Sequence, residues 1–181
     1  MTNNSPQIEI PIDKTKLRGL LIAALIFVVL GIIFMLGAPF FRHVTFGIRA
    51  FIFFGGLLSV SFFGYGANIF SKKLTSNLPG LVIGDLGFTD NSSGVSAGFV
   101  AWGDIVELRE RAVNSQVFLL IIVRNPEEYI NRQSGGFKKF MMRMNLKFYK
   151  TPISISANTL QIDFYQMRKL FEDKINNFWK S

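Results

Sequence analysis

The sequence contains no cysteine and one histidine, His43. The absence of cysteine excludes disulfides, thiolate metal sites and thiol nucleophiles, and one histidine excludes metal sites built from several histidines. Charged residues are also scarce, at 18% of the chain, whereas soluble domains carry about a quarter. Because 49% of the residues are hydrophobic and the mean hydropathy is +0.32, the composition disfavours a single soluble domain and a disordered chain.

Two long stretches of the chain contain no charged residue. One extends from Gly19 to Phe41 and the other from Ala50 to Phe70. A hydrocarbon core about 30 Å thick requires about 20 residues of helix, so each stretch is long enough to cross a membrane. We predict transmembrane helices over residues 19–38 and 50–70. The alternative is a large core of a soluble protein, which the length of the stretches disfavours.

The first stretch has the basic flank of a signal peptide, with Lys14, Lys16 and Arg18 before it. Its apolar length, however, exceeds the about 7–15 residues that are typical of a signal peptide. Pro39 also follows Ala38 where cleavage would fall. We therefore predict an uncleaved membrane anchor.

The short connection from Pro39 to Arg49 predicts an antiparallel transmembrane hairpin over residues 17–71. Cations near the membrane favour the cytoplasmic side. The flanking cations on the side of the termini are Lys14, Lys16, Arg18, Lys72 and Lys73, and those in the connection are Arg42 and Arg49. This distribution predicts that both termini, including the segment 1–16, are cytoplasmic. We expect His43 to be a solvated residue of the connection, with a pH-sensitive role as the alternative.

Small residues cluster on the second stretch. Gly55 and Ser59 have the spacing that lets two helices approach closely. We predict helix packing at these residues, either within the hairpin or between copies of the chain. No Asp, Glu, Lys or Arg lies inside either stretch, which gives no candidate proton relay or ion site and disfavours a transporter.

The part of the chain after a short polar linker at 71–79 is long enough for one small domain, over residues 80–181. Alternation and turn signals predict strands at 81–83, 88–89, 98–102, 105–113, 117–123 and 152–156. Asp163 followed by Gln166 is a capping-box signal, and the apolar residues after it recur at helical spacing. We predict an α+β chain whose β-rich domain is closed by a C-terminal helix. Residues 8–12 alternate as a strand does, and it stays open whether they join the sheet.

Several segments resemble a known family. The segments GLVI at 80–83, GFTD at 87–90 and AWGDI at 101–105 resemble the opening of bacterial PH-like domains. Together with IEIP at 8–11, DNSS at 90–93, NPEEYIN at 125–131 and TPISIS at 151–156, they are similar to a family of bacterial two-helix membrane proteins with a cytoplasmic PH-like domain. The resemblance covers nearly the whole chain. It implies a PH-like fold, a partly open antiparallel β-barrel capped by the C-terminal helix, and it transfers no catalytic or ligand residue.

Trp102 and Asp104 are the most distinctive pair in this domain. We expect Trp102 to fill the core and Asp104 to cap a turn or bond to backbone amides, with a ligand role as the alternative. Acid–base catalysis requires carboxylates that converge on a cleft, and we expect Asp85, Asp90 and the other acids to be solvated instead. The sequence has no phosphate-binding glycine loop, no Gly-x-Ser-x-Gly and no His-Glu-x-x-His. We therefore predict no catalytic residue, metal or cofactor, and no enzyme.

A basic segment without acids covers residues 132–150. Its apolar residues recur at helical spacing, which predicts one apolar stripe flanked by cations. That pattern is typical of a helix in the membrane interface, among anionic headgroups. The alternative is that the stripe packs on the rest of the domain. The predicted contact residues are Phe137, Lys138, Lys139, Phe140, Met141, Arg143, Met144, Lys147 and Phe148.

These observations predict a non-enzymatic interaction module anchored in the bacterial inner membrane. Its PH-like domain would bind a protein partner or anionic lipid at the cytoplasmic face. The alternative is a subunit of a homo-oligomeric membrane assembly. The net charge of +8 would also suit nucleic acid, but the membrane anchor makes nucleic acid the least favoured partner.

Overall fold

The computed structural model describes residues 7–180, so residues 1–6 of the predicted N-terminal segment and Ser181 lie outside the described residues. The chain forms two compact units. The helical unit covers residues 14–77. The sheet unit contains the residues up to Asp13 and those from Leu78 onward. The chain therefore leaves the sheet unit once, at Asp13, and returns to it once, at Leu78.

Two long apolar helices make up the helical unit. The first, α1 (Lys14–Gly37), is followed by a 3-10 turn that contains Pro39, and the second is α2 (Phe46–Thr75). Proline lacks a backbone N–H and disfavours helix at the residue before it, which explains the end of α1. Both helices are long and apolar enough to cross a membrane. Because α2 continues to Thr75, the prediction of a linker beginning at residue 71 is wrong for its first part.

The two long helices contact each other through small residues and aromatic rings. A Cβ atom added to Gly56 would lie 2.6 Å from the carbonyl oxygen of Gly31, so the backbones approach closely there. The Ser59 hydroxyl donates a hydrogen bond to the Phe27 carbonyl at 3.0 Å, and the Phe27 and Phe63 rings stack at 4.4 Å. These contacts pair earlier residues of α1 with later residues of α2.

The first sheet of the sheet unit joins the segment before α1 to the strands that follow α2. Its strands are antiparallel in the order β1-β2-β3-β4, and β1 pairs Ile8 with Ile83 and Ile10 with Leu81. The residues before α1 therefore do add a strand, which the sequence left open. The four strands are β1 (Ile8–Ile10), β2 (Leu81–Ile83), β3 (Gly87–Asp90) and β4 (Gly98–Ala101).

The second sheet has three antiparallel strands with the most apolar one in the centre. The order is β5-β6-β7, so the apolar run predicted as a central strand is central. The turn between β5 and β6 places Asn114 at a φ of 53°, a conformation that asparagine tolerates better than most residues. The strands are β5 (Ile105–Val113), β6 (Gln116–Val123) and β7 (Ile153–Ser156).

The described part of the chain contains no closed barrel, because the two sheets share no paired strand, so the predicted PH-like β-barrel is not confirmed. The chain passes from β4 to β5 through a 3-10 turn at Trp102–Asp104. β4 is an edge strand of the first sheet. Side chains donate hydrogen bonds to backbone carbonyls at this edge, where a further strand would pair. Arg132 donates to the carbonyls of Ala97 and Phe99, and Gln133 donates to that of Ala97.

Three helices complete the sheet unit: α3 (Pro126–Asn131), α4 (Gly136–Tyr149) and α5 (Phe164–Lys180). The Asp163 half of the predicted capping box is confirmed, since the Asp163 carboxylate accepts a hydrogen bond from the Gln166 backbone N–H at 2.9 Å. Phe171 from α5 is fully buried and contacts the rings of Phe88 and Trp102 at 4.8 and 5.7 Å. The C-terminal helix therefore covers the core, as predicted.

Candidate functional site

The segment predicted to contact a membrane forms helix α4. Gly135 precedes it in an extended conformation, and Lys150 ends it in the left-handed conformation at φ 64°. Residues four apart lie in one row along a helix. The side chains of α4 therefore form rows, and these rows differ in burial.

One row of α4 packs on the sheet unit. Met142 is fully buried and belongs to the core, and Leu146 packs against that core. Lys138 begins the same row and is half-buried. Burial lowers the pKa of the Lys138 ammonium, while the charge of Asp90 raises it and that of Arg132 lowers it. Met142, which anchors the helix, was not among the predicted contact residues.

The predicted apolar stripe faces away from that core. Phe137, Phe140 and Phe148 are exposed by 46%, 56% and 64%. Met141 and Met144, between them in the stripe, are half-buried. About half or more of each of these three side chains is therefore left uncovered, and the alternative that the whole stripe packs on the domain is wrong.

A row of cations borders the exposed stripe. Lys139, Arg143 and Lys147 are four residues apart and thus lie on one side of α4, next to the row of Phe140 and Phe148. Arg143 and Lys147 are exposed, and Lys139 is half-buried. No acid lies within α4, so the exposed face of the helix combines aromatic rings with positive charge.

Arg132, the first cation of the basic segment, has a structural role instead. Its guanidinium bonds to carbonyls at the edge of β4 and lies 4.2 Å from the centre of the Tyr129 ring. The Tyr129 hydroxyl donates to the Asp104 carboxylate at 2.6 Å. Burial and this bond to Asp104 raise the pKa of Tyr129 well above its usual range. The Asp104 carboxylate thus accepts a hydrogen bond from a side chain, whereas a turn cap or a bond to backbone amides was predicted.

The other carboxylates singled out in the sequence lie in separate places. Asp90 is buried, contrary to the prediction that it is solvated, and it accepts bonds from Ser92 and from the Ala97 amide. It therefore orders the loop between β3 and β4. Asp85 lies 3.6 Å from the Lys174 ammonium. Within residues 7–180, no group of three or more His, Asp or Glu residues could hold a metal ion.

The predicted packing residues of α2 have different surroundings. Ser59 contacts α1, but a Cβ atom added to Gly55 would meet nothing within 4 Å. The neighbouring Gly56 makes the close approach to α1 instead. Gly55 is therefore exposed on the helical unit, and only half of the predicted pair contacts the other helix. His43 is exposed in the connection.

Trp102 fills the core as predicted. It is fully buried, and its indole N–H donates to the Gly84 carbonyl at 3.0 Å. A buried tryptophan whose N–H is satisfied has no polar group left for a ligand.

Comparisons of the chain with protein-family models, with curated proteins and with solved structures find no match. The resemblance drawn from the sequence motifs therefore stays a prediction.

Proposed function

We propose that the chain is a non-enzymatic interaction module anchored in a bacterial inner membrane by a transmembrane hairpin. Its sheet unit, a variant of a PH-like domain, lies at the cytoplasmic face. There, α4 contacts anionic lipid through its exposed phenylalanines and its row of cations. The observation that carries the proposal is the exposure of Phe137, Phe140 and Phe148 beside Lys139, Arg143 and Lys147.

The helical unit supports the membrane anchor. Only 11% and 6% of the most apolar windows of α1 and α2 are buried by the protein, whereas the core helix of a soluble protein would be largely covered. The chain leaves the sheet unit at Asp13 and returns at Leu78, which is what two crossings require. Lys72 and Lys73 in the last turn of α2 fit the cytoplasmic side.

The exposed face of α4 supports anionic lipid as the ligand. An interfacial helix inserts its apolar side at the acyl boundary and places its cations among the headgroups. Each cation near an anionic surface contributes about 1 kcal/mol, so the row of three contributes about 3 kcal/mol. That corresponds to roughly a hundredfold in affinity. The anchor also holds the domain near the bilayer at all times.

The test uses the full chain in nanodiscs. Because the chain has no cysteine, Phe148→Cys gives one site for an environment-sensitive dye. We expect the dye emission to shift to the blue, and to be quenched by brominated lipid, when the disc contains phosphatidylglycerol. Both effects should weaken at high salt, which screens exposed charges.

A matched pair of triple variants distinguishes the effect of the three α4 cations from the effect of the total positive charge of the sheet unit. Changing Lys139, Arg143 and Lys147 to glutamine should abolish the dye response. Changing three other exposed cations of the sheet unit to glutamine removes the same charge and should leave it intact; these are Arg111, Arg124 and Lys169. A dye response that is equal in zwitterionic discs, or equally lost in both triple variants, would reject the lipid proposal and leave a protein partner.

Gly55 supports the second candidate, a homo-oligomeric membrane assembly. It is a small, exposed residue on α2 at which an added Cβ atom would meet nothing within 4 Å, and such an open small residue permits close contact with another copy. The mass of the protein in mild detergent tests this. Gly55→Ile should convert an oligomer to monomers, while Gly47→Ile, at an equally open position of α2, should not. A monomeric unmodified chain would reject this candidate.

A further inference from the structure

A cavity of about 360 Å³ lies where the connection meets the first turns of α2. Its walls are apolar: Pro39, Phe46, Phe53 and Phe54 line it together with two alanines. Arg49 is the only charged residue in this lining. All of its lining residues belong to the helical unit, and none belongs to α4.

Arg49 presents an unsatisfied group. Its Nε atom is buried, and among the described residues it is the buried side-chain nitrogen or oxygen that has no hydrogen-bond partner. A guanidinium is always charged and carries five N–H donors in a rigid plane. Leaving such a donor buried and unpaired is costly, so a partner for it is expected.

The helical unit cannot supply a charged partner. No Asp or Glu occurs between Asp13 and Asp85, so this unit contains cations and no carboxylate. Any charged partner of Arg49 therefore comes from outside the unit. Arginine pairs well with phosphate because its planar donors match the phosphate oxygens.

We propose that this cavity binds the headgroup of an anionic membrane lipid, with the lipid phosphate at Arg49. The glycerol and upper acyl region of the lipid contacts Phe46, Phe53 and Phe54. The apolar walls exclude a freely hydrated anion as the preferred ligand, because they offer it no replacement for its water. The inference rests on the membrane anchor but not on lipid contact by α4, since the cavity lies at the connection between α1 and α2.

The full chain, purified in detergent and stripped of lipid, is titrated with phosphatidylglycerol and analysed by native mass spectrometry. We expect one lipid to be retained with a higher affinity than phosphatidylcholine. Arg49→Gln should lower that affinity about tenfold or more, the loss expected for one charge-assisted hydrogen bond. Arg49→Lys keeps the charge and should show an intermediate loss.

Arg42 supplies the matched control, because it is a cation of the same connection that does not line the cavity. Arg42→Gln should bind phosphatidylglycerol as the unmodified chain does. Equal losses of affinity in the two glutamine variants would indicate diffuse charge attraction without a specific site and would overturn the proposal. An Arg49→Gln variant that binds phosphatidylglycerol normally would also overturn it. Displacement of the lipid by millimolar inorganic phosphate would overturn the lipid assignment. Retained helical circular dichroism shows that each variant is folded.

Discussion

The close approach of α1 and α2 gives a sharp prediction for two neighbouring glycines. In Gly56→Ala, the new Cβ atom would lie 2.6 Å from the Gly31 carbonyl oxygen and 2.9 Å from the Met35 amide nitrogen. Real Cβ atoms do not approach backbone so closely, so the helices must separate. Overpacking of this kind costs about 1–3 kcal/mol.

Gly55→Ala is the matched control for this change. The two variants gain the same helix propensity, about 1 kcal/mol in a helix interior, but the Cβ atom at Gly55 meets nothing within 4 Å. The difference between the variants therefore isolates the clash. We expect Gly56→Ala to be less stable than Gly55→Ala by about 1–3 kcal/mol.

The assay follows the separation of the helices in mixed micelles as dodecyl sulfate is added. Dyes on cysteines that replace Ile33 and Leu58, which are exposed on α1 and α2, report the distance by energy transfer. The dodecyl sulfate content at which half of the helix pairs have separated should fall for Gly56→Ala. It should stay the same or rise for Gly55→Ala. Equal midpoints for the two variants, or a midpoint for Gly56→Ala at or above that of the unmodified chain, would refute the packing described here.

Two further predictions concern the sheet unit. Gly87→Ala would place a Cβ atom against the Val100 carbonyl oxygen and should lower stability by about 1–3 kcal/mol. Gly84→Ala, whose Cβ atom would have ordinary contacts from 3.7 Å, should be neutral in the same thermal melt, and a neutral Gly87→Ala would contradict the register. Burial and Asp104 raise the pKa of Tyr129 above its usual 10.0, so the folded state holds the phenol proton more tightly than the unfolded state. The contribution of the protonated phenol to the free energy of unfolding is fully present below about pH 10 and is lost as the pH rises further. Circular-dichroism melts should therefore show a weaker alkaline decline for Tyr129→Phe, and an unchanged decline would count against the buried hydrogen bond.

Local signals in the sequence predicted most of the elements. The signals for strands β2 to β7 and for the cap at Asp163 come from residues close together in the chain, such as Gln166, whose backbone N–H donates to the Asp163 carboxylate. The two long apolar helices follow from the absence of charge over a full membrane thickness. These features need no knowledge of what packs against them.

The errors concern which side of an element meets its neighbour. Gly55 and Gly56 are adjacent in sequence, and only the position of α1 decides that Gly56 makes the close contact. In α4, periodicity reveals the apolar stripe, yet Met142 from another row fills the core. Periodicity cannot rank two faces when the partner surface is distant in sequence.

The absence of a closed barrel among residues 7–180 has the same origin. The bonds from Arg132 to carbonyls at β4 join residues more than thirty positions apart. Nothing in the composition or spacing of residues 132–150 predicts that Arg132 would bond to the edge of β4. Likewise, Asp90 is buried because Ser92 and the Ala97 amide surround its carboxylate, which only the folded loop provides.

The central claim, two membrane crossings with the sheet unit on the cytoplasmic side, is tested most directly by labelling single cysteines in vesicles. His43→Cys marks the connection between the helices and Ser115→Cys marks the turn between β5 and β6, and both positions are exposed. With a membrane-impermeant maleimide, we expect Ser115→Cys to react only in inside-out vesicles and His43→Cys only in right-side-out vesicles. Reaction of both cysteines from the same side of the membrane would contradict the account.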